Sequence, residues 1–508
     1  MIDWLNDACF YEIYPQSFMD TDNDGTGDLN GITDRLDYVA GLGCNAIWIN
    51  PFYDSPFKDA GYDVRDYLKV AKRYGTNDDA VRLFETAHRK GIKILIDLVP
   101  GHTSEEHEWF RRSSEACPNE YSSRYIWTDH WIKGIGGHPY IGGESPRNGT
   151  YMLNFFKCQP ALNYGWASPS EKWQSAIDSP EALATRDAMI DVMLFWLNLG
   201  CDGFRVDMAD SLAKDDDSSK SATCLIWRYI LSACRSKFPS AAFVSEWSCP
   251  VQSINGAGFD MDFYLDHDGN GYNRLVRSSN SYFNGECSFN EFLDDYIPAL
   301  RDTSHNGLIC MMTCNHDTVR PSHFLSDRAL RLFYTFLLTM PGAPFIYYGD
   351  EIGMRYLDLP SKEGGYDRTG SRTPMQWDTS VIDAGIAGQL YLPCDDAADA
   401  PTVKEQERDV NSMLNFVRGL TALRHKNHDL QAYSDFRYIA GEDISHAVIY
   451  RRGDFYIAIN PSQSQTSVSA PECRESHIIW SYGEGRVDSD RIVIDAASAL
   501  ILRQNREV

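Results

Sequence analysis

Four short apolar runs, far apart along the chain, each end in side chains that can act as acids, bases or nucleophiles. The polar residues that end these runs are Asp97, His102, Arg205, Asp207, Glu246, His316 and Asp317. Enzymes built on parallel barrels carry their reactive groups at the carboxyl ends of several different strands. Two carboxyl groups with separate roles are what glycoside hydrolysis requires, so this set predicts that class of chemistry.

Asp207 and Glu246 are the candidate reacting pair. Arg205 lies two residues before Asp207, so both side chains leave the same face of a strand. The arginine charge is expected to lower the pKa of Asp207 and keep it ionised as a nucleophile. Glu246 precedes Trp247, whose apolar ring is expected to desolvate the carboxyl group and raise its pKa, which suits a general acid.

His316 and Asp317 are expected to contact sugar hydroxyls and to stabilise a positively charged transition state. The nearby Cys310 and Cys314 suggest zinc, but a strand would hold them about 13 Å apart, too far for one tetrahedral ion. Serine hydrolase chemistry is not indicated, because no Gly-x-Ser-x-Gly pattern accompanies the serines near strand ends. A single polar residue at the end of a strand is often only a strand cap. Polar residues at four successive strand ends favour a functional site.

The elements that must position these residues alternate between strands and helices. The eight predicted strands are residues 8–18, 45–52, 92–100, 201–209, 241–248, 260–266, 307–317 and 343–351. The predicted helices are residues 32–42, 76–90, 181–199, 221–238, 289–302, 329–340 and 411–425. This alternation predicts an α/β fold, a (β/α)8 TIM barrel.

Changes of pattern along the chain predict three domains. The catalytic barrel is expected to comprise residues 1–103 and 165–427, with an irregular insertion at 352–408. Residues 104–164 follow the third strand and are too long for a plain loop, which predicts an inserted subdomain. Residues 428–508 change to short alternating strands and predict a C-terminal antiparallel β-sandwich domain.

The charge balance restricts the partners. Acidic residues outnumber basic ones, 72 against 47, which gives a formal net charge of −25. Such a surface repels phosphate backbones and anionic membranes. We therefore expect no nucleic-acid or membrane partner and a neutral small-molecule carbohydrate as substrate.

Cysteine usage and the N-terminus indicate the compartment. The 13 cysteines have no repeating spacing, which argues against a disulfide framework and for a reducing environment. The first residues lack a basic region followed by an apolar stretch, and no apolar run of about 18 residues occurs. A cytoplasmic protein is expected, and the oligomeric state stays open.

From about residue 8 to its C-terminus, the chain resembles glycoside hydrolase family 13, the α-amylase family. The four runs are similar to that family's four hallmark regions, in order. The resemblance implies that Asp207 is the nucleophile, Glu246 the acid/base and Asp317 the transition-state stabiliser. It also implies sugar-binding roles for three further residues, namely Arg205, His102 and His316, and a supporting role for Asp97.

Two further motifs resemble the α-glucosidase, oligo-1,6-glucosidase and trehalose synthase branch of the family. They are residues 372–377, Arg-Thr-Pro-Met-Gln-Trp, and residues 58–63, Lys-Asp-Ala-Gly-Tyr-Asp. The branch resemblance implies that Asp59 binds a terminal glucose, that Tyr62 stacks on it, and that Arg372 closes the pocket together with Asp59.

Two positions depart from the family pattern. Gly101 stands where the family usually has an asparagine that binds calcium between barrel and insertion. Met208 follows the nucleophile where this branch often has valine, alanine or threonine, residues tied to linkage preference. The linkage therefore stays open.

An acid-rich loop between residues 20 and 28 resembles a calcium loop, and a similar loop in this branch binds calcium or magnesium. The predicted ligands are Asp20, Asp22, Asp24, Asp28 and the carbonyl of Thr26. Position twelve is Gly31 rather than glutamate, so the loop is not an EF-hand. We expect a structural calcium or magnesium ion and no organic cofactor. The alternative is an acid-rich turn satisfied by water and backbone donors.

Together these features predict a retaining hydrolase that acts on the non-reducing end of short α-linked gluco-oligosaccharides through a covalent glucosyl-enzyme. Retention predicts that the carboxyl groups of Asp207 and Glu246 lie about 5–5.5 Å apart. A transglucosylase or isomerase such as trehalose synthase is the main alternative, because it shares the first half-reaction. A non-catalytic sugar-binding relative is less expected, because all three acids are present.

Overall fold

The computed structural model describes residues 1–508 except 129, 131–136, 144, 266–269, 278–279, 441–446 and 506–508. Eight parallel strands form its central sheet. These strands, β1 to β8, are Phe10–Ile13, Ala46–Ile49, Lys93–Leu98, Gly203–Val206, Ala242–Ser245, Met261–Phe263, Leu308–Cys310 and Phe345–Tyr347. Their order in the sheet is β7-β6-β5-β4-β3-β2-β1-β8. A parallel bridge between Met312 and Phe345 joins the two ends of the sheet and closes the barrel.

Helices cover the outside of the barrel, at least one after each strand. They are Leu29–Asp34, Leu36–Leu42, Asn77–Arg89, Pro180–Leu199, Ser221–Lys237, the π-helical Val251–Ala257, Gly271–Val276, Asn290–Thr303, Asp327–Thr339 and Met413–Lys426. Local sequence sets their ends. Thr76 and Asp79 form a capping box at the start of the helix Asn77–Arg89, which follows β2. Gly200 ends the helix Pro180–Leu199, which follows β3, in the left-handed region at φ 113°.

Large side chains fill the barrel interior. Phe10, Trp48, Phe263 and Phe345 pack there, with the Phe10 and Phe345 rings stacked 4.2 Å apart. Along each strand the next residue faces the helices. The same alternation directs Glu12, two residues after Phe10, into the barrel above this apolar layer.

All eight barrel strands end before their predicted limits, and β1 and β7 fall short by the most. β1 ends at Ile13 because Pro15 begins a helical turn, Pro15–Phe18. β7 ends at Cys310, so His316 and Asp317 lie in the loop beyond it. This loop carries both residues over the carboxyl end of the barrel.

The smaller sheets of the protein are all antiparallel. Between β3 and its helix lie the helix Glu108–Ser113 and a sheet of Trp127–Thr128, Tyr140–Gly142 and Thr150–Met152. Beyond the barrel, the strands are Arg437–Ala440, Val448–Arg452, Phe455–Asn460, Thr466–Ser469, Ser476–Tyr482, Gly485–Asp488, Arg491–Ile494 and Ser498–Gln504. They form a five-stranded and a three-stranded sheet around a shared apolar core.

The predicted fold class, a (β/α)8 barrel with an insertion after the third strand and a C-terminal antiparallel β domain, is confirmed. The domain boundaries at 103/104, 164/165 and 427/428 stay predictions. Among the described residues, no helix has both the length and the apolar character needed to cross a bilayer.

Candidate active site

Arg205, on β4, holds three carboxyl groups at the carboxyl end of the barrel. Its Nη1 donates to Asp97 Oδ1 and to Asp207 Oδ1, both at 3.0 Å, and its Nη2 lies 2.8 Å from Glu246 Oε1. The guanidinium is 1% exposed and lies over the Trp48 ring at 4.9 Å. The two acids predicted to react therefore share one cation.

The backbone after β4 also orients Glu246. Asp207 and Glu246 each follow the last residue of their strand, and their N–H groups continue the sheet pairing. Met208, next to Asp207, adopts the left-handed conformation at φ 41°, and its N–H donates to Glu246 Oε2 at 2.9 Å. The nucleophile candidate and the acid candidate are thus linked through both side chain and backbone.

The protonation of Asp207 differs from the prediction. Burial and the neighbouring Glu246 carboxylate raise the pKa of Asp207 well above its ordinary value, and the charge of Arg205 only partly opposes them. The expectation that the Arg205 charge keeps Asp207 ionised is therefore wrong, because the burial that outweighs this charge was not visible in the residue spacing. The raised pKa favours the protonated form of Asp207 in these surroundings.

Asp317 is held by two arginines. Its Oδ1 accepts from Arg372 Nη2 at 2.7 Å and from Arg368 Nη1 at 2.9 Å. Burial acts to raise the pKa of Asp317, but the side chains around it, His316, Arg372 and Arg368, outweigh burial and lower that pKa below its ordinary value. Asp317 is therefore the acid of this site that stays anionic.

Asp59 also lines the cavity and accepts from Gln159 Nε2 at 2.7 Å. The guanidinium that reaches Asp59 is that of Arg368, at 3.5 Å, whereas Arg372 donates to Asp317 and to the His316 carbonyl. The predicted pairing of Arg372 with Asp59 is thus corrected, and Arg368 takes that place. Burial raises the pKa of Asp59 to about 6, although Gln159 and Arg368 act to lower it.

Tyr62 and His102 form one wall. The Tyr62 hydroxyl donates to Asp97 Oδ2 at 3.1 Å, and its ring lies parallel to the His316 ring with centroids 5.2 Å apart. His102 Nε2 lies 3.1 Å from the Tyr62 carbonyl, and burial lowers the pKa of His102 to about 4. The imidazole of His102 is therefore neutral, and the stacking of Tyr62 on a sugar stays a prediction.

These residues surround one cavity of about 330 Å³. Among the residues that line it are Asp59, Tyr62, His102, Asp207, Glu246, Asp317 and Arg368. Arg205, His316 and Arg372 lie behind this lining, each at most 2% exposed. The volume is at the lower end of the range for ligand sites, which suits a small sugar.

Sequence reasoning missed several polar residues of the site. They are Glu12, Asn50, Asn154, Lys214 and Arg368. Arg368 could have been found, because it lies four residues before Arg372 in the same motif region. The others lie on segments whose polar residues follow no pattern that indicates a site.

Lys214 lies close to the position where Gly101 departs from the family pattern. Its ammonium is buried between barrel and insertion, where it donates to the Ser211 carbonyl at 2.8 Å and to Asn154 Oδ1 at 3.2 Å. A Cβ at Gly101 would lie 2.8 Å from Nδ2 of the same Asn154, so a larger residue there would require the Asn154 side chain to move. A lysine ammonium therefore lies at this junction.

The acid-rich loop brings three of its predicted ligands together. Carboxylate oxygens of Asp20, Asp22 and Asp28 lie within 4.8 Å of one another. Asp24 is not part of this group, and its Oδ1 accepts the Thr26 N–H at 2.8 Å. Clustered carboxylates match the ligands that calcium and magnesium prefer.

Comparisons with known proteins agree with this geometry. The family model for the α-amylase catalytic domain matches residues 12–433. The chain is 32% identical over 500 residues to trehalose synthase/amylase TreS of Mycolicibacterium smegmatis, which covers 87% of this chain and 79% of the relative. It is 31% identical over 564 residues to the oligo-1,6-glucosidase of Heyndrickxia coagulans, which covers 95% and 96%.

A solved structure, Eubacterium rectale Amy13B, superposes on this chain with a TM-score of 0.81 at 25% identity, and the match covers 100% of this chain and 97% of that one. The barrel, the acids gathered at its carboxyl end and these similarities lead to one conclusion. The chain belongs to the α-amylase family, glycoside hydrolase family 13, whose members hydrolyse or transfer glycosides.

Proposed function

We propose that this enzyme is a retaining α-glucosidase that removes single glucose units from the non-reducing end of short α-linked gluco-oligosaccharides. One observation carries the proposal: Asp207 and Glu246 lie on one guanidinium beside a small cavity, and Arg368 bridges Asp59 and Asp317 in the wall of the same cavity. A bridged end leaves room for a terminal sugar rather than for a continuing chain.

In the proposed mechanism, the Asp207 carboxylate attacks the anomeric carbon while Glu246 protonates the leaving oxygen. Glu246 then takes a proton from the water that hydrolyses the glucosyl-enzyme. Asp317, kept anionic by its arginines, accepts hydrogen bonds from sugar hydroxyls. It also stabilises the positive charge that develops on the sugar ring.

The lining charges support a neutral substrate. Among the residues that the structure describes, five carboxyl groups and one arginine, Arg368, line the cavity. The carboxyl groups are those of Asp59, Asp207, Asp210, Glu246 and Asp317. A phosphorylated sugar would meet repulsion from these acids, because the one guanidinium is already shared by two of them.

Transfer of the glucosyl group to a sugar is the second candidate function. The similarity to a trehalose synthase favours it. Both candidates share the glucosyl-enzyme and differ in whether water or a sugar hydroxyl reaches it. The choice lies with the acceptor side of the cavity, where Met208 and Trp247 line the wall.

A panel of α-linked diglucosides, followed by ¹H NMR, tests the proposal. We expect glucose to appear, with the α-anomer formed first because two displacements retain the configuration. Formation of trehalose from maltose would instead support the isomerase. Longer oligosaccharides as first products, or β-glucose, would contradict the proposed mode of cleavage.

Replacing Asp59 with asparagine is expected to raise KM for diglucosides about 10- to 100-fold, because a charged hydrogen bond to a sugar hydroxyl contributes about 1.5–3 kcal/mol. The kcat value should change less, since Asp59 is away from the reacting bond. Initial rates over a range of maltose concentrations measure both. Asp54→Asn is the control, because Asp54 pairs with Arg65 at 2.7 Å outside the cavity. Equal effects of the two variants would contradict the assignment.

We further propose that Asp20, Asp22 and Asp28 hold a structural calcium or magnesium ion. Removal of the ion with a chelator is expected to lower the Tm by roughly 3–6 °C, because the bound ion stabilises only the folded state. Thermal unfolding with and without EDTA, and after calcium or magnesium is restored, measures this. Asp22→Asn should abolish the response, and the exposed Asp396→Asn should not. A Tm that does not respond to chelator would exclude the ion.

The compartment is likewise a proposal. All thirteen cysteines carry free thiols. This supports a reducing environment such as the cytoplasm.

A further inference from the structure

Glu12 is a buried carboxyl group inside the barrel that the proposed mechanism does not use. It lies on β1 and is 0% exposed. Its Oε1 is 2.9 Å from His316 Nδ1 and accepts from Asn50 Nδ2 at 3.2 Å, while its Oε2 has no hydrogen-bond partner among the described residues. Burial of an unpaired carboxylate costs free energy, so a carboxyl group at this buried position is expected to have a role.

The ring that Glu12 contacts, that of His316, is packed against other aromatic rings. The His316 ring lies between two parallel tyrosine rings, Tyr62 at 5.2 Å and Tyr14 at 6.0 Å, each inclined by 8°. Its second nitrogen, Nε2, is 3.4 Å from Asp317 Oδ2. The imidazole therefore joins a carboxyl group inside the barrel, Glu12, to a carboxylate in the cavity wall.

We infer that Glu12 is a positioning residue for the proposed reaction, and that it acts by keeping a proton between its Oε1 and His316 Nδ1, so that the Nε2 proton faces Asp317 and the bound sugar. This inference rests on the proposed function for its substrate. In this arrangement the protonated Nε2 lies 3.4 Å from Asp317 Oδ2, has no hydrogen-bond partner among the described residues, and is left to donate to the bound sugar. If the proton between Glu12 and His316 were lost, the remaining ring proton would move to Nδ1. A lone pair would then face the Asp317 carboxylate.

The surroundings favour the protonated pair. Burial raises the pKa of Glu12 well above its ordinary value, which Asn50 and Arg205 oppose. Burial also lowers the pKa of His316 well below its ordinary value. The titratable, charged or hydrogen-bonding groups that face Glu12 from the neighbouring strands and loops are Asn50, Asp97, Arg205, His316 and Tyr347. A protonated Glu12 that donates to a neutral ring is the form that both burial effects favour.

Two variants separate the hydrogen bond from the charge. Glu12→Gln keeps an N–H that can donate to Nδ1 but has no proton to lose. We expect it to retain kcat within about threefold at acidic pH, while the basic limb of kcat/KM moves to higher pH. Glu12→Met has a similar length without the hydrogen bond, and we expect its kcat to fall at least tenfold with a smaller change in KM. A residue with a purely structural role would not move the pH profile.

Release of nitrophenol from p-nitrophenyl α-glucoside between pH 4.5 and 9 measures these effects. Because it reports formation of the glucosyl-enzyme, it does not depend on whether water or sugar is the acceptor. The control is Glu351→Gln, since Glu351 is an equally buried acid held by the hydroxyls of Tyr11 and Tyr38 outside the cavity. Its profile should match that of the wild type. A wild-type basic limb unchanged in Glu12→Gln, or full kcat in Glu12→Met, overturns the inference.

The protonation can also be observed without turnover. In protein with ¹⁵N-labelled histidine, the His316 signals are assigned by their loss in His316→Gln. We expect a proton on Nε2 in the wild type. A proton on Nδ1 alone contradicts the inference, whereas failure to release glucose contradicts only the proposed function.

Discussion

Asp207→Asn is expected to abolish cleavage of α-glucosides while the protein still folds. The amide cannot form the glucosyl ester, so kcat should fall by about 10⁴-fold or more, as when other enzymes lose their nucleophile. Stability should change little or rise, because Asp207 is one of three acids that share Arg205, and removing one lowers their mutual repulsion. Nitrophenol release and the Tm measure the two effects.

A covalent label makes this test direct. A fluorinated glucosyl fluoride that forms a slowly hydrolysed ester should add one fluoroglucosyl group to the wild type, visible in the intact mass, and none to Asp207→Asn. The control is Asp202→Asn at the opposite end of the same strand, where Asp202 pairs with His88 and Lys93. It should be labelled like the wild type. Labelling of Asp207→Asn, or activity above about 1% of wild type, would remove Asp207 from the proposed role.

Glu246→Gln is expected to separate the two half-reactions. Without its acid, cleavage of maltose should fall by about 10²–10⁴-fold. An aryl glucoside with a good leaving group needs little protonation, so its first step should survive, and the glucosyl-enzyme should accumulate because no base activates water. Rapid mixing should then show a burst of nitrophenol followed by a slow steady rate.

Azide provides the decisive observation for Glu246. A small anionic nucleophile needs no general base, so azide should restore turnover in Glu246→Gln and yield the α-glucosyl azide, detected by NMR. Azide should not rescue Asp207→Asn, because that variant forms no ester. Equal loss on maltose and on the activated glucoside, without rescue, would mean that Glu246 is not the acid/base.

The parts of the site that follow local patterns could be predicted. Asp207 and Glu246 directly follow apolar strands, and Arg205 has the parity to face the same way as Asp207. Parallel strands bring their carboxyl ends together, so the meeting of these residues follows from the fold. The family resemblance added the roles of Asp59, Tyr62 and Asp317.

The parts that depend on long loops or on burial could not be predicted. Arg368 reaches Asp59 from a segment some 300 positions later, through irregular backbone that has no periodic pattern. Glu12 lies in a strand that otherwise looks like ordinary barrel wall. The raised pKa of Asp207 depends on how much water the folded barrel excludes, which residue spacing does not reveal.

The left-handed backbone at Met208 has a consequence for redesign of the enzyme. Only a twist of that kind turns the Met208 amide toward Glu246 while the methionine side chain lines the cavity. Any residue with a Cβ is strained by this twist, at a cost of order 1–2 kcal/mol, because Cβ crowds the following carbonyl oxygen, and branching at Cβ adds to the crowding. An engineer who exchanges Met208 to alter which bond is cut would therefore also disturb the anchor of the proton donor. Selectivity and rate are coupled here through a single peptide unit.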